Sequence, residues 1–559
     1  MKWVQSPAVD LTVGCGAWSL LFVLMAYFFP TSGQTLALGL YTAGVFINAP
    51  HYMATIYRAY RTKEDLSRYR VVTVYFTTLL VIALITAHLF YRLIPWLFTI
   101  YITWSPWHYM GQNFGLMMMF IHRNGIKVER KERNGMWAAF VASYIMTFLT
   151  FHTAAPDSPF LLSLGLPARV AALRVPLMAF YLLVGIVILG RMARRVGWRP
   201  MIPPVTLYVT EFLWFVMPTA LELSTGIRIP QTAYSAGILA VMHCSQYLWI
   251  TNYYARREAT AEVTTWRWQT YFGILILGGI VLFVPGPWLA SFAFGRDFTL
   301  SGFIFTALIN IHHFILDGAI WKLRDKRVRH LLTSSEGTET EKVTPAWSAS
   351  ARPWRLAAGV AIAMLLILVG IDQVRYYLGN RLMNTSSMAM AASLNPYDSL
   401  IQTRLGRAYA ARGDRVRMES SFREALRTDP DNLEAQNAVA RLMLESGRFD
   451  EAYAHYKQMF EKTEPDAEAL MNFGALCRQF NRHDEAMHSF ERVLRKLPDY
   501  APAHLLLAEL LDADGKTSQA ILHYERYSSL KSRAPANPID PQLQSALVRI
   551  QELKATRIN

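Results

Sequence analysis

Histidines recur inside long apolar stretches of this chain. Imidazole is the commonest metal ligand among side chains and suits iron, copper and zinc, and a carboxylate beside it can complete such a site. Asp317 follows the last of these histidines by four residues and therefore shares a helix face with it. Asp317 is thus a candidate catalytic carboxylate, and the candidate metal ligands are His51, His108, His243, His312 and His313.

The two adjacent histidines cannot serve one ion equally, because successive residues of a helix point about 100° apart. His313 shares its face with Asp317, so we expect His313 to be the ligand. His312 is then left for a second metal, a neighbouring helix or a hydrogen bond.

Three further polar residues lie in the same kind of apolar segment. Gln112 follows His108 by four residues and Gln246 follows His243 by three, so each amide is placed to orient an imidazole. Glu211 is a second candidate catalytic carboxylate and a possible ligand, whereas Cys244 is expected to point to another helix face and to pack.

The elements that carry these residues are predicted to be membrane-spanning helices. The chain has 559 residues, of which 53% are hydrophobic and only 17% are charged. A span needs about 20 mostly apolar residues, which predicts an all-α, polytopic bundle of about 11 spans. Their approximate bounds are 11–30, 35–57, 71–91, 94–121, 137–155, 175–190, 203–222, 232–254, 268–294, 301–321 and 354–372.

Charge fixes the expected orientation. The excess of Lys and Arg behind the net charge of +15 is concentrated in the loops after every second span, as membrane topology requires, so no nucleic-acid partner is expected. The positive-inside rule places the N-terminus and these loops in the cytoplasm. The predicted location is a bacterial inner membrane, with the lipid bilayer as surroundings and the C-terminal region in the periplasm.

The histidine-bearing spans run in the same direction. Their histidines stand 7 to 15 residues before the next basic residue, which places them within roughly 10 Å in depth. Ionisable groups in lipid are costly and usually face the bundle interior, where they mark functional sites. A single membrane histidine more often joins two helices by a hydrogen bond, but a shared layer favours a metal site.

The C-terminal third repeats with a period of 34 residues. The aligned columns are Gly406, Ala440, Gly474 and Ala508; Gly413, Gly447, Asn481 and Gly515; Met418, Ala452, Ala486 and Ala520; and Phe422, Tyr456, Phe490 and Tyr524. This pattern resembles the tetratricopeptide repeat, in which stacked helix pairs form an α-solenoid. The resemblance implies a surface that binds a protein or peptide partner.

These patterns divide the chain into four parts. Residues 1–372 form the predicted membrane domain, and 373–398 a linker with a partial repeat. Residues 399–534 form four tetratricopeptide repeats, and 535–559 a capping helix and tail.

The leading functional hypothesis is a membrane metalloenzyme of the oxygenase type that holds iron and acts on a lipid-soluble small molecule. Its layout is loosely similar to bacterial membrane carotene-cleaving dioxygenases, multi-span proteins whose iron is held by helix histidines. No motif of that family matches residue by residue, so no residue role carries over. A second hypothesis has haem as the cofactor, because paired histidines can be axial ligands and Trp104 and Trp107 beside His108 suit a porphyrin face.

A membrane glycosyltransferase and a non-enzymatic scaffold are the remaining hypotheses. Some membrane glycosyltransferases carry C-terminal repeats of this kind, but they resemble one another in having acidic residues in the first external loop. That loop here reads PTSGQT, without a carboxylate. A scaffold that only anchors the repeats needs one span and does not explain buried His, Gln, Asp and Glu side chains.

Overall fold

The computed structural model describes residues 1–21, 44–153, 161–226, 239–261, 268–322, 325–333, 352–382, 384–462, 464–532 and 541–558. The chain divides into two compact units, Met1–Tyr377 and Leu378–Asn559. The described residues form helices, turns and loops without a strand, which confirms the all-α class. The unit boundary at Tyr377 lies close to the predicted end of the membrane domain at residue 372.

The first unit is a bundle of helices. Beyond short turns of helix at Pro7–Val9 and Ala168–Ala171, its helices are α1 Ala49–Tyr60, α2 Lys63–Arg68, α3 Thr77–Leu89, α4 Ile94–Arg123, α5 Arg130–His152, α6 Arg174–Val196, α7 Ile202–Glu211, α8 Met217–Thr225, α9 Ala240–Ala261, α10 Trp268–Phe283, α11 Pro285–Phe294, α12 Phe298–Ile320, α13 Lys326–Thr333 and α14 Arg352–Tyr377. Helix α1 contacts α9, α10 and α12, and α4 contacts α12, so four histidine-bearing helices are neighbours.

Seven helical stretches in the described ranges are long and apolar enough to cross a membrane. They are Val71–Leu89, Arg130–His152, Arg169–Val196, Arg199–Thr225, Trp268–Phe294, Phe298–Ile320 and Ala357–Leu382. The count of about 11 stays a prediction, because spans 11–30, 35–57 and 232–254 each include residues outside the described ranges. The remaining predicted span, 94–121, is helix α4, whose 30 residues include buried polar side chains such as Ser105 and Asn113.

One close approach positions the start of α1. Gly279 of α10 lies against the backbone of Ala49 and Pro50, and a Cβ at residue 279 would come within 2.6 Å of the Ala49 carbonyl carbon. A larger residue here would push apart the two helices that hold His51 in place.

The second unit is a stack of helix pairs. Its helices are α15 Thr385–Leu394, α16 Ser399–Ala410, α17 Arg415–Thr428, α18 Leu433–Glu445, α19 Phe449–Lys462, α20 Ala467–Gln479, α21 His483–Lys496, α22 Ala501–Ala513, α23 Thr517–Ser532 and α24 Pro541–Ile558. The small-residue column brings paired helices together, because Gly474 lies directly against the ring of Phe490. The second column ends the first helix of each pair in the left-handed region, where glycine is favoured: Gly413, Gly447, Asn481 and Gly515 have φ of 71°, 70°, 55° and 71°.

The contact between Gly474 and Phe490 predicts a local loss of stability. A Cβ at residue 474 would lie 2.7 Å from the Phe490 ring, so Gly474→Val overpacks the interface of α20 and α21. We expect a loss of about 1–3 kcal/mol. Hydrogen exchange on the full chain should show faster exchange in peptides from these two helices. The matched change Ala454→Val, at an exposed position of α19, should leave exchange within the small range of surface substitutions; equal effects of the two changes would contradict the packing argument.

Candidate metal centre

Four imidazoles meet in the middle of the first unit, each from a different helix. The ring of His51 on α1 lies 4.5 Å, between centroids, from His313 on α12 and 5.4 Å from His243 on α9. The ring of His108 on α4 lies 4.9 Å from both His243 and His313. His51, His243 and His313 are almost completely buried.

Asp317 joins this cluster from α12. Its Oδ2 lies 3.8 Å from Nε2 of His108 and 3.9 Å from Nε2 of His313. Among the described residues, two sets of side chains have ligand atoms within 4.8 Å of one another: His51, His243 and His313, and His108, His313 and Asp317. Two opposite ligands of one ion lie up to about 4.2 Å apart, since metal–nitrogen bonds are about 2.1 Å. Small side-chain shifts would thus let either set hold an ion, and His313 belongs to both.

Several imidazole nitrogens of the cluster are buried without a hydrogen-bond partner among the described residues. These atoms are Nε2 of His108, Nε2 of His313 and both ring nitrogens of His243. A buried polar atom without a partner carries a desolvation penalty of about 1–3 kcal/mol. Several such atoms facing one another are the arrangement that a shared cation relieves.

The other ring nitrogens of two histidines are held by acceptors, which fixes their tautomers. Nδ1 of His51 lies 2.6 Å from the carbonyl oxygen of Asn48, which can only accept, so this nitrogen carries the proton. Nδ1 of His313 lies 2.9 Å from Oγ1 of Thr55. Each of these two imidazoles can then offer the lone pair of Nε2 to an ion, as metal-binding histidines normally do.

Thr55 and Tyr247 also hold the carboxylate. Oδ1 of Asp317 accepts hydrogen bonds from the Tyr247 hydroxyl (2.5 Å) and the Thr55 hydroxyl (3.1 Å). The single proton of Thr55 goes to Asp317 or to the Tyr247 oxygen 2.6 Å away, so Thr55 accepts from Nδ1 of His313. Trp321 donates to the Tyr247 oxygen (2.9 Å). Oδ1 is therefore held by the Tyr247 hydroxyl, with the Thr55 hydroxyl also within hydrogen-bonding distance, while Oδ2 faces His108 and His313.

The structure places His312 outside the cluster. Its Nε2 lies 3.0 Å from the hydroxyl of Thr77, at the start of α3, and 3.4 Å from that of Tyr60. His312 therefore points away from His313 and takes the hydrogen-bonding role considered for it.

The two glutamines do not orient imidazoles in the way expected from their spacing. Nε2 of Gln112 donates to Oε1 of Gln246 (3.1 Å) and to the backbone carbonyl of His243 (3.3 Å). The two amides therefore bridge α4 and α9 beside the cluster. The i+3 and i+4 spacing correctly predicts that both amides lie beside the cluster. The amides turn towards each other because Gln112 on α4 and Gln246 on α9 are within hydrogen-bonding distance.

Glu211 is buried in a different part of the bundle. Its carboxylate accepts hydrogen bonds from Ser143 (2.6 Å) and Asn113 (2.9 Å) and is absent from both possible ligand sets among the described residues. Its two polar partners explain how a carboxylate is retained there. The geometry thus assigns it no contact with the histidines.

The sequence contained a signal for the residues that were missed. Thr55 follows His51 by four residues, and Tyr247 follows His243 by four, the same spacing that relates Asp317 to His313. The expectation for Cys244 differs from the structure, because its Sγ lies 3.0 Å from Nδ1 of His51 and 3.1 Å from Oδ1 of Asn48. Cys244 packs against the rim of the cluster instead of facing away.

A cavity of 440 Å³ opens against one side of the cluster. His108 and Asp317 form part of its wall, together with Tyr247, whereas His51, His243 and His313 do not line it. An ion held by the set that contains Asp317 would therefore be reached by a small molecule from this side.

The hydrogen bond from Tyr247 predicts a measurable effect on metal affinity. Tyr247→Phe removes the hydroxyl that fixes Oδ1 of Asp317 without removing a ligand. Loss of such a supporting group typically lowers metal affinity 10–100-fold, and we expect a change in this range for Fe(II), measured by competition with a chelator. Tyr57→Phe, on the neighbouring helix α1, is the control. Unchanged affinity in Tyr247→Phe would contradict the orienting role of the hydroxyl.

Comparison with known proteins identifies the C-terminal region. A family model described as "Tetratricopeptide repeat" matches residues 419–472 and 478–535. This confirms the repeat resemblance and shows that this region is a protein-interaction domain. No curated protein matches the chain.

Several solved structures are similar to part of the chain. The TPR protein YrrB, described as having an unusual peptide-binding site, is 12% identical, covers 31% of this chain and 86% of its own, and gives a TM-score of 0.28. MamA is 20% identical, covers 28% of this chain and 82% of its own, with a TM-score of 0.25. PilF of Pseudomonas aeruginosa is 19% identical, covers 34% of this chain and 87% of its own, with a TM-score of 0.29.

Proposed function

We propose that the first unit is an integral membrane metalloenzyme whose histidine–aspartate cluster holds iron and oxidises a lipid-soluble substrate with oxygen. The single observation that carries this proposal is the convergence of four imidazoles and Asp317 from four helices, with unpaired nitrogens facing one another. Structural hydrogen bonding alone would pair these nitrogens.

The type of ligand set supports iron. His108, His313 and Asp317 are two histidines and one carboxylate, the combination that holds non-haem Fe(II) in oxygenases and leaves other positions open. Iron bound there would supply the site for oxygen. Dioxygenation of an alkene balances without an external reductant: the C=C bond and the O–O bond break, and two C=O bonds form. His108 and Asp317 border the cavity and would position the reacting bond.

Haem is the second candidate cofactor. Axial histidines stand on opposite faces of a porphyrin, whereas the imidazoles here lie side by side with ring centroids 4.5 to 6.4 Å apart. Trp104 and Trp107 line the neighbouring cavity, where their rings would contact a flat molecule. The spacing of the imidazoles favours a bare ion.

The repeats would work on the periplasmic side of the membrane. The basic loops support a cytoplasmic N-terminus and a periplasmic location for the repeats, where the repeats would bind a protein or peptide partner. Protease added to intact spheroplasts should then remove the repeats and spare the membrane domain. Digestion only after lysis would place the repeats in the cytoplasm.

Metal content and the visible spectrum of the detergent-purified full chain test the enzymatic proposal. We expect near-stoichiometric iron without a Soret band, and oxygen uptake in the presence of unsaturated lipids. A Soret band would favour haem. A preparation that neither contains nor binds iron would overturn the proposal and leave a membrane scaffold for the repeats.

A further inference from the structure

The cavity beside the cluster extends along helix α4. Its wall follows α4 from Trp104 to Met119, 15 residues that span about 22 Å. The residues of α4 that line it recur every three or four positions, so they form one continuous wall on a single helix face.

The polar groups of this cavity are unevenly distributed. His108, Tyr247 and Asp317 lie together near the end marked by Trp104, and Gln112 lies one helical turn beyond His108. Leu116, Met119, Ile250 and Leu332 make the far end apolar. Along α4, the level of His108 is about 6 Å from Trp104 and about 16 Å from Met119. A chain that fills the cavity therefore meets the cluster near one of its ends.

Glycines keep the floor of the cavity open. Gly111, Gly115 and Gly318 line it, and a Cβ at any of them would meet no other atom within 4 Å. Gly111 and Gly115 are one helical turn apart, so they form a continuous strip on α4. Glycine lowers helix stability relative to other residues, and here it leaves room along the path of a chain.

We propose that this cavity binds an extended apolar chain, acyl or isoprenoid, and presents a bond near one end of it to His108 and Asp317. The identity of the reacting centre rests on the proposed metalloenzyme, whereas chain binding rests on the cavity alone. Gly115 sets the depth available, since it lies about 10 Å beyond His108 along α4.

A leucine at residue 115 tests the depth of the site. We expect the full chain in detergent to bind two fluorescent polyene fatty acids that differ only in length, with energy transfer from Trp104, Trp107 and Trp321 as the signal. Gly115→Leu should bind the longer acid at least ~10-fold more weakly and the shorter acid within ~2-fold of the parent. Leucine is a better helix former than glycine, so this variant should fold.

Gly190→Leu on α6 is the matched control, because its Cβ also meets no atom and it does not line the cavity. Gly115→Leu that binds both acids like the parent, or loses both alike, would overturn the inference. Measuring the iron content and iron binding of the untreated parent protein beside the titration separates the two proposals. If Gly115→Leu loses affinity for the longer acid only, and the parent protein neither contains nor binds iron, the chain site is retained and the metalloenzyme proposal is removed. If the parent protein binds iron and Gly115→Leu does not change the length selectivity, the metalloenzyme proposal is retained and the chain site is removed.

A polyisoprenoid alcohol used as a competitor distinguishes the two sources of such a chain. Displacement of the longer polyene acid by the alcohol, but not by a saturated fatty acid, would assign the cavity to isoprenoids. Displacement by the saturated fatty acid, but not by the alcohol, would assign it to acyl chains. Displacement by neither, at concentrations that saturate detergent micelles, would overturn the inference.

Discussion

His313→Ala is expected to remove bound iron from the purified protein. Of the residues that the structure describes, only His313 belongs to both possible ligand sets, so its loss leaves two ligands in each. The neighbouring His51 and His243 cannot replace it, because Asp317 lies next to His313 and His108 and not next to them. We expect affinity for Fe(II) to fall by more than ~100-fold, the upper range for supporting residues.

The adjacent residue provides the control. His312→Ala removes an imidazole of the same helix that contacts Thr77 and Tyr60 outside the cluster, and should leave iron content unchanged. His313→Gln guards against a folding defect in the alanine variant, since it fills most of the same space with a poorer ligand. Equal iron content in His313→Gln and the parent, measured by elemental analysis of well-folded protein, would remove His313 from the site.

The 34-residue period made the fold of the C-terminal repeats predictable. Each column of the 34-residue period corresponds to a distinct steric demand. Gly474 must admit the Phe490 ring, and Gly447 must adopt a positive φ at the end of its helix. Because such demands recur in every repeat, several columns report the same structure at once, and the family comparison confirms the result.

In the first unit, the level of each histidine along its helix was predictable, and the direction of each side chain around the helix axis was less so. Loop charges and helix rise group His51, His108, His243 and His313 in one layer, and the structure brings their side chains together. The partner that a side chain meets depends on which helix packs beside its own. Spacing within one segment does not identify the neighbouring helix, so it did not predict that Gln112 would bond to Gln246 on another helix.

Mean hydropathy alone does not identify every predicted span, for a related physical reason. Helix α4, which carries His108, turns polar side chains inward, which lowers its mean hydropathy while it remains buried. Helix α4 has 30 residues, yet Asn113 and Ser105 face the interior and it is not among the seven apolar stretches. Helices α4 and α12 differ in this respect, because α12, which carries His313 and Asp317, is among the seven apolar stretches.

Asp317→Asn should separate the charge of the carboxylate from its hydrogen bonds. Asparagine keeps an oxygen that accepts from Tyr247 and Thr55, so the supporting network and the fold should be retained. The amide nitrogen would replace Oδ2, the atom that faces His108 and His313, and an amide N–H₂ cannot donate a lone pair to an ion. Fe(II) affinity should fall about 100-fold, because hard, negatively charged oxygen is lost from the ligand set.

A second buried carboxylate in the same unit makes this test specific. Glu211→Gln also replaces a buried acid by its amide, but its partners are Ser143 and Asn113 and it lies outside the cluster. Iron binding should therefore be unchanged in Glu211→Gln and reduced in Asp317→Asn, each measured by chelator competition on folded protein. If Glu211→Gln lowers Fe(II) affinity and Asp317→Asn does not, the metal site lies at Glu211. If both variants lose the same affinity, buried negative charge anywhere in the bundle governs iron binding, rather than a ligand at Asp317.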